Sequence, residues 1–123
     1  MTANALLGTW RVISFTRWNR EGVAGQPLGA EPVGYAVFDP NGRAFIQLGK
    51  NPAAGVPADE VAKSLMCYFG PYKVTGDSVA VSVESSSIPE YVGSTQVRQF
   101  EIDGDALTMG TPGRYRATLT RVG

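Results

Sequence analysis

The chain contains no histidine and only one cysteine, Cys67. Without histidine, a serine–histidine–aspartate triad cannot be assembled. A histidine-ligated metal is excluded too, and one thiolate cannot build a zinc cluster. No metal and no cofactor are therefore expected. Any acid–base chemistry falls to tyrosine, aspartate, glutamate, lysine or Cys67. A lone cysteine also leaves no intramolecular disulfide, which suits a reducing compartment.

Net charge is absent as well: 11 lysines and arginines balance 11 aspartates and glutamates. With no basic run and no basic patch interleaved with aromatics, nucleic acid is not an expected partner. No apolar run approaches the roughly 20 residues of a membrane helix, so no membrane partner is expected. The opening MTANALLGTW lacks the charged and apolar segments of a signal peptide. A soluble cytoplasmic protein is the expectation.

What the sequence does have is alternation. Its 123 residues suit one domain, 1–123. Period-two segments, rich in β-branched and aromatic residues, occupy 9–17, 33–39, 43–49, 68–76, 78–87, 95–103, 106–110 and 115–122. Turn signals separate several of them: DPNGR, Gly76–Asp77, Asp103–Gly104 and Pro112–Gly113. One stretch breaks the rhythm. Pro57 suits a first helical position and Asp59 and Glu60 a first turn, with Ala58, Val61, Ala62 and Leu65 at helical spacing. The expected fold is all-β, an eight-stranded antiparallel up-and-down barrel with one short helix at about 57–67. Closure removes the exposed strand edges. At eight strands the interior either fills with side chains or holds one small ligand.

Four blocks carry a resemblance: LLGTWRVISF, EPVGYAVFDPNGRAFIQL, YFGPYKV and PEYVGSTQVRQFEIDGDALTM. Their order resembles that of the small lipocalin-like domain family, and the Gly8-Thr9-Trp10 opening resembles the first-strand signature of lipocalins. The last block resembles the family in its Pro89, Tyr91, Gly93, Gln96, Arg98 pattern. There are two departures: Tyr91 stands where a tryptophan is expected, and Val81 and Ser82 stand where relatives often carry a histidine. The resemblance implies a lipocalin-like barrel whose Trp10 closes one end beneath Arg121 of the last strand. It implies carriers and, less often, cofactor-free enzymes.

The segment IPEYVGSTQVRQF holds the strongest functional signal. Alternation puts Gln96 and Arg98 on the same face as Phe100 and Ile102. If the apolar pair faces the core, so does the guanidinium. A buried arginine needs a partner, and Glu84, Glu90 and Glu101 are the carboxylates close by in sequence. Without one, its planar fork suits a carboxylate or carbonyl ligand. Tyr35, grouped with Val33 and Val37, is expected to face inward, and Tyr68 and Tyr91 to lie near the mouth. The expected ligand-binding set is Arg98, Gln96, Tyr35, Tyr68, Tyr91 and Phe100. Cys67 reads as a small core residue and Met66 as gap-filling core.

The expected function is binding of a small, mostly apolar molecule with a polar or anionic end inside the barrel. The alternative is a cofactor-free isomerase or cyclase acting on a reactive biosynthetic intermediate there. A packed barrel acting through its surface, as a homodimer, is a third reading.

Overall fold

The structure is a computed structural model that describes residues 4–122. Its strands are β1 (Gly8–Trp18), β2 (Ala24–Gly25), β3 (Val33–Phe38), β4 (Arg43–Gly49), β5 (Met66–Thr75), β6 (Ser78–Ser82), β7 (Ser85–Ser86), β8 (Thr95–Asp103), β9 (Ala106–Thr111) and β10 (Tyr115–Arg121). The helix α1 spans Ala58–Ser64, between β4 and β5. Eight of the strands form a continuous antiparallel ladder, β10-β9-β8-β6-β5-β4-β3-β1, and β1 pairs back to β10. The barrel is closed. β2 folds back on the end of β1, and β7 pairs only with β5.

Two expected elements are shorter than their patterns. The segment 78–87 leaves the ladder at Ser82, after which Glu84 and the Ser85–Ser86 strand turn to β5. Pro71 has no N–H to give the ladder, and next to it a Cβ on Gly70 would lie 1.8 Å from the Ser82 carbonyl oxygen. That close crossing divides β5 between β6 and β7. The helix ends at Ser64 instead of reaching residue 67, because Leu65 is extended and Met66 pairs with Leu48 of β4. The sheet ladder prevails over weak helical propensity. Ser64 Oγ fastens the helix end, accepting from the Lys50 N–H at 2.9 Å and donating to the Val61 carbonyl at 2.7 Å. No residue of α1 is buried.

The interior is lined in register. Trp10 sits opposite Ala36, Val12 opposite Leu119, and Ile46 opposite Tyr68. Between Val12 and Ser14 the β1–β10 register shifts, leaving Ile13 outside the alternation and largely exposed. This bulge reverses the faces of β1: Trp10 and Val12 point inward before it, and Phe15 points inward after it.

The barrel end bearing Trp10 is plugged. Trp10 is 0% exposed, and its indole N–H donates to the Leu6 carbonyl at 2.8 Å. Arg121 lies 4.1 Å over the indole and donates to the carbonyls of Leu7 (2.9 Å) and Ala5 (3.1 Å). Nearby, Asn4 donates to the Tyr72 hydroxyl at 2.8 Å, and that hydroxyl donates to the Asp39 carbonyl at 3.1 Å. The other end, the mouth, is bordered by the 19–32 loop, α1 and Ile88.

Candidate functional site

The interior cavity lies in the mouth half of the barrel. Its volume is about 50 Å³, and its walls include Phe15, Met66, Tyr68, Arg98, Met109 and Tyr115. Arg98 is its only charged residue. β8 places Arg98 inward by plain alternation, opposite Val79 of β6, and the side chain is 8% exposed.

Its partners are neutral. Nη1 donates to the Val97 carbonyl at 2.9 Å and Nη2 to Gln96 Oε1 at 3.0 Å. The guanidinium stands 5.0 Å from the Tyr115 ring centre and 5.9 Å from that of Tyr68. No carboxylate among the described residues is within ion-pair distance. Glu84 pairs instead with Arg43 at 3.6 Å, on the outside. Glu90 and Glu101 are exposed. Arg98 thus keeps its charge in an apolar chamber, with donor capacity left over from its five N–H groups.

Gln96 holds the guanidinium in place. Its amide donates to Ser94 Oγ at 2.8 Å, and Ser94 in turn donates to the Tyr91 carbonyl at 2.6 Å. The Gln96 carbonyl is thereby presented to Arg98. Gln96 therefore positions Arg98 and does not itself line the cavity. Tyr91 closes a short 3-10 turn, Pro89–Tyr91, and packs edge-on against Tyr68 with ring centres 5.9 Å apart.

Tyr68 is 6% exposed. Burial raises its hydroxyl to about 12, while the adjacent Arg98 charge acts in the opposite direction without offsetting it. At neutral pH Tyr68 is a protonated phenol, so the pair carries one net positive charge.

Three expected placements need correction. Tyr35 faces outward and is 48% exposed, because the inward residues of β3 are Ala36 and Phe38. The Trp10 indole opposite Ala36 fills the interior at that level, leaving room only for a small side chain. Phe100 does point inward, but it packs against the core away from the Arg98 cavity. Cys67 is half-exposed on the outer face near Phe45 and Phe69, not in the core. Among the described residues, no group of three carboxylates or thiols converges in a way that could hold a metal.

Phe15 and Tyr115 lie outside the expected ligand-binding set, while Met109, a gap-filling core residue by sequence, forms part of the cavity wall. Phe15 arrives there through the Ile13 bulge and stacks on Tyr115 with ring centres 6.1 Å apart. Alternation alone puts Tyr115 on the Arg121 face of the last strand, so its inward direction could be read, but its meeting with Arg98 could not. Outside the cavity, at the mouth, lies a crevice of about 400 Å³. Its apolar walls include Leu28, Leu65 and Ile88, its rim carries Arg17, Lys50, Lys63 and Glu60, and Phe15 and Met66 line both spaces.

A family model described as a lipocalin-like domain matches residues 7–120. The chain belongs to the lipocalin-like domain family. A crystal structure of a lipocalin-like protein from Bacteroides uniformis ATCC 8492 superposes with a TM-score of 0.57 at 13% identity, over 97% of this chain and 100% of the other. An uncharacterized protein from Bacteroides eggerthii DSM 20697 superposes with a TM-score of 0.53 at 10% identity, over 95% and 99%. At such identities the likeness is one of fold. No curated protein matches the chain.

Proposed function

We propose that this lipocalin-like barrel binds a small, mostly apolar molecule through a carboxylate or carbonyl end that meets Arg98. One observation carries the reading: a buried guanidinium with no carboxylate partner among the described residues, at the wall of an apolar cavity. Desolvating a cation without a counter-charge costs several kcal/mol, and an anionic or carbonyl ligand would offset that cost. The neutral Tyr68 phenol is a second donor beside it. The cavity volume is well below the ~300–1,000 Å³ of typical ligand pockets. It suits a head group, and the mouth crevice suits the apolar remainder.

The isomerase or cyclase reading receives less support. A phenol held protonated up to about pH 12 is a poor proton donor and no base at neutral pH. With one free thiol and no disulfide, a cytoplasmic carrier is the setting we favour.

The test compares hexanoate, 1-hexanol and hexylamine, which share a tail and differ in head, by calorimetric titration. Hexanoate should bind at least about tenfold more tightly than hexylamine, and the preference should vanish in Arg98→Met. Equal affinities for the three, or a preference that survives Arg98→Met, would sink the assignment.

A further inference from the structure

Most residues that line the Arg98 cavity are buried, so a ligand needs a way in. Three outer depressions share wall residues with it. The first, on the β8–β10 side, shares Gly110 and Tyr115; the second, outside β4 and β5, shares Ile46 and Tyr68; the third is the mouth crevice, sharing Phe15 and Met66. The first two lie across the sheet. Gly110 is paired with Arg116 in the β9–β10 ladder, and Ile46 with Tyr68 in the β4–β5 ladder. Passage there would break backbone hydrogen bonds in a closed barrel. Phe15 and Met66 belong to β1 and β5, which are not ladder neighbours. No β1–β5 ladder has to break for passage between these two residues.

The parts around that partition differ in how firmly they are held. Phe15 is buried, and its ring stacks on Tyr115. Met66 is half-buried, unbranched and flexible. It follows directly on α1, through the extended Leu65. The helix buries no residue. Polar contacts tie it to Lys50, just after β4: Lys50 N–H to Ser64 Oγ at 2.9 Å, and Lys50 to Glu60 at 3.6 Å between two partly exposed side chains. An exposed pair of that kind contributes little. A segment with few buried apolar contacts opens at low free energy.

We infer that α1 and Met66 form the movable door to the Arg98 cavity, and that Met66 determines how fast, and how bulky, a head group reaches the guanidinium. This rests on the reading of Arg98 as the ligand's anchor. The rim fits an anionic visitor: Arg17, Lys50 and Lys63 face one carboxylate, Glu60, which is paired with Lys50. The ligand enters head first, moving Met66 aside and leaving its apolar part against Phe15, Leu28 and Leu65.

Benzoate is the probe, and NMR lineshape titration reads both its rate constants. Met66→Ala should raise association and dissociation together, each at least about tenfold, because a door changes both directions while an anchor changes only residence. The volume-conserving Met66→Leu should shift both rate constants less than Met66→Ala does, and a cooperative urea unfolding transition for both variants separates gating from loss of fold. Independently of any variant, amides 62–66 should exchange with solvent by local opening, faster than those of β1 and β10, and slow down in saturating benzoate. If Met66→Ala leaves both rate constants unchanged while Arg98→Met abolishes binding, the door lies elsewhere and the anchor stands. If Arg98→Met binds benzoate as wild type does, the anchor fails and the door fails with it. Absence of benzoate binding to both wild type and Met66→Ala overturns both.

Discussion

Each half of the barrel holds an inward-facing arginine over aromatic rings, yet the two are partnered differently. Arg121, at the plugged end, covers the Trp10 indole, donates to two backbone carbonyls of residues 5–7, and lies 3.9 Å from Asp105. Its charge is stabilised by groups that belong to the fold. Arg98, toward the mouth, meets two phenol rings, one carbonyl of its own strand and one amide, with no carboxylate. Their partners separate a structural cation from a functional one. The first completes its contacts within the chain; the second is held in a fixed orientation with its charge uncompensated beside open space. Arg121 also remains partly exposed, so solvent shares in its stabilisation, whereas Arg98 is buried and relies on neutral protein groups alone.

The largest effect should come from breaking the plugged end itself. Trp10 is fully buried, and its N–H ties down residue 6. Trp10→Ala should lower unfolding free energy by about 3–5 kcal/mol, as measured by urea denaturation, and should leave the Arg121 guanidinium without the ring beneath it. A loss below about 1 kcal/mol would mean that this end is not the anchor of the fold.

How much of this contrast was legible beforehand depends on which rule each residue obeys. Arg98 could be read inward because Phe100 and Ile102 continue its face without interruption. The Asp103–Gly104 turn likewise fixed the β8–β9 register, pairing Asp103 with Ala106. Trp10 and Arg121 could be paired from the family resemblance. Phe15 could not be placed, because a single bulge at Ile13 reverses every face that follows it on β1, and nothing in the local pattern marks a bulge. Tyr35 was misread for a related reason. Both faces of β3 carry large apolar side chains, and only the bulk of Trp10 on the neighbouring strand decides which face is inside. Part of the missing partnership of Arg98 was legible: alternation puts Glu84 on the outward face of Ser78, Ala80 and Ser82, opposite the buried valines, and there it meets Arg43, a pairing only three dimensions supply.

Tyr68 sharpens the contrast through pH. Its hydroxyl is raised from 10.0 to about 12 by burial. The folded state therefore holds the proton more tightly than the unfolded chain does. Stability from this group is fully present below pH 10 and is lost as pH rises from 10 toward 12. Wild type minus Tyr68→Phe should lose about 2–3 kcal/mol across that window, while the difference stays flat between pH 6 and 9. A flat difference up to pH 12 would place Tyr68 in a far more solvated setting than the cavity wall. An anionic ligand on Arg98 should deepen the shift, because it withdraws the positive charge that now favours the phenolate.

The smallest effect is the most discriminating, because it asks the two arginines the same question. Arg121→Met removes a cation–π contact and two charge-assisted hydrogen bonds, and should cost about 2 kcal/mol. Arg98→Met has a different balance. It removes hydrogen bonds to Val97 and Gln96, but it also relieves a desolvated charge and places an apolar chain in an apolar cavity. Exchanging buried charges for well-packed apolar side chains is often neutral or stabilising. The expected change for Arg98→Met is therefore within about 1 kcal/mol of zero, with ligand binding lost. Thermal and urea denaturation of the two variants, side by side, read this directly. Equal and large losses would make Arg98 a second Arg121, part of the scaffold, and would leave the cavity without its anchor. A stable Arg98→Met protein that no longer distinguishes hexanoate from hexylamine would show that the uncompensated charge is kept for what enters the barrel, not for the barrel.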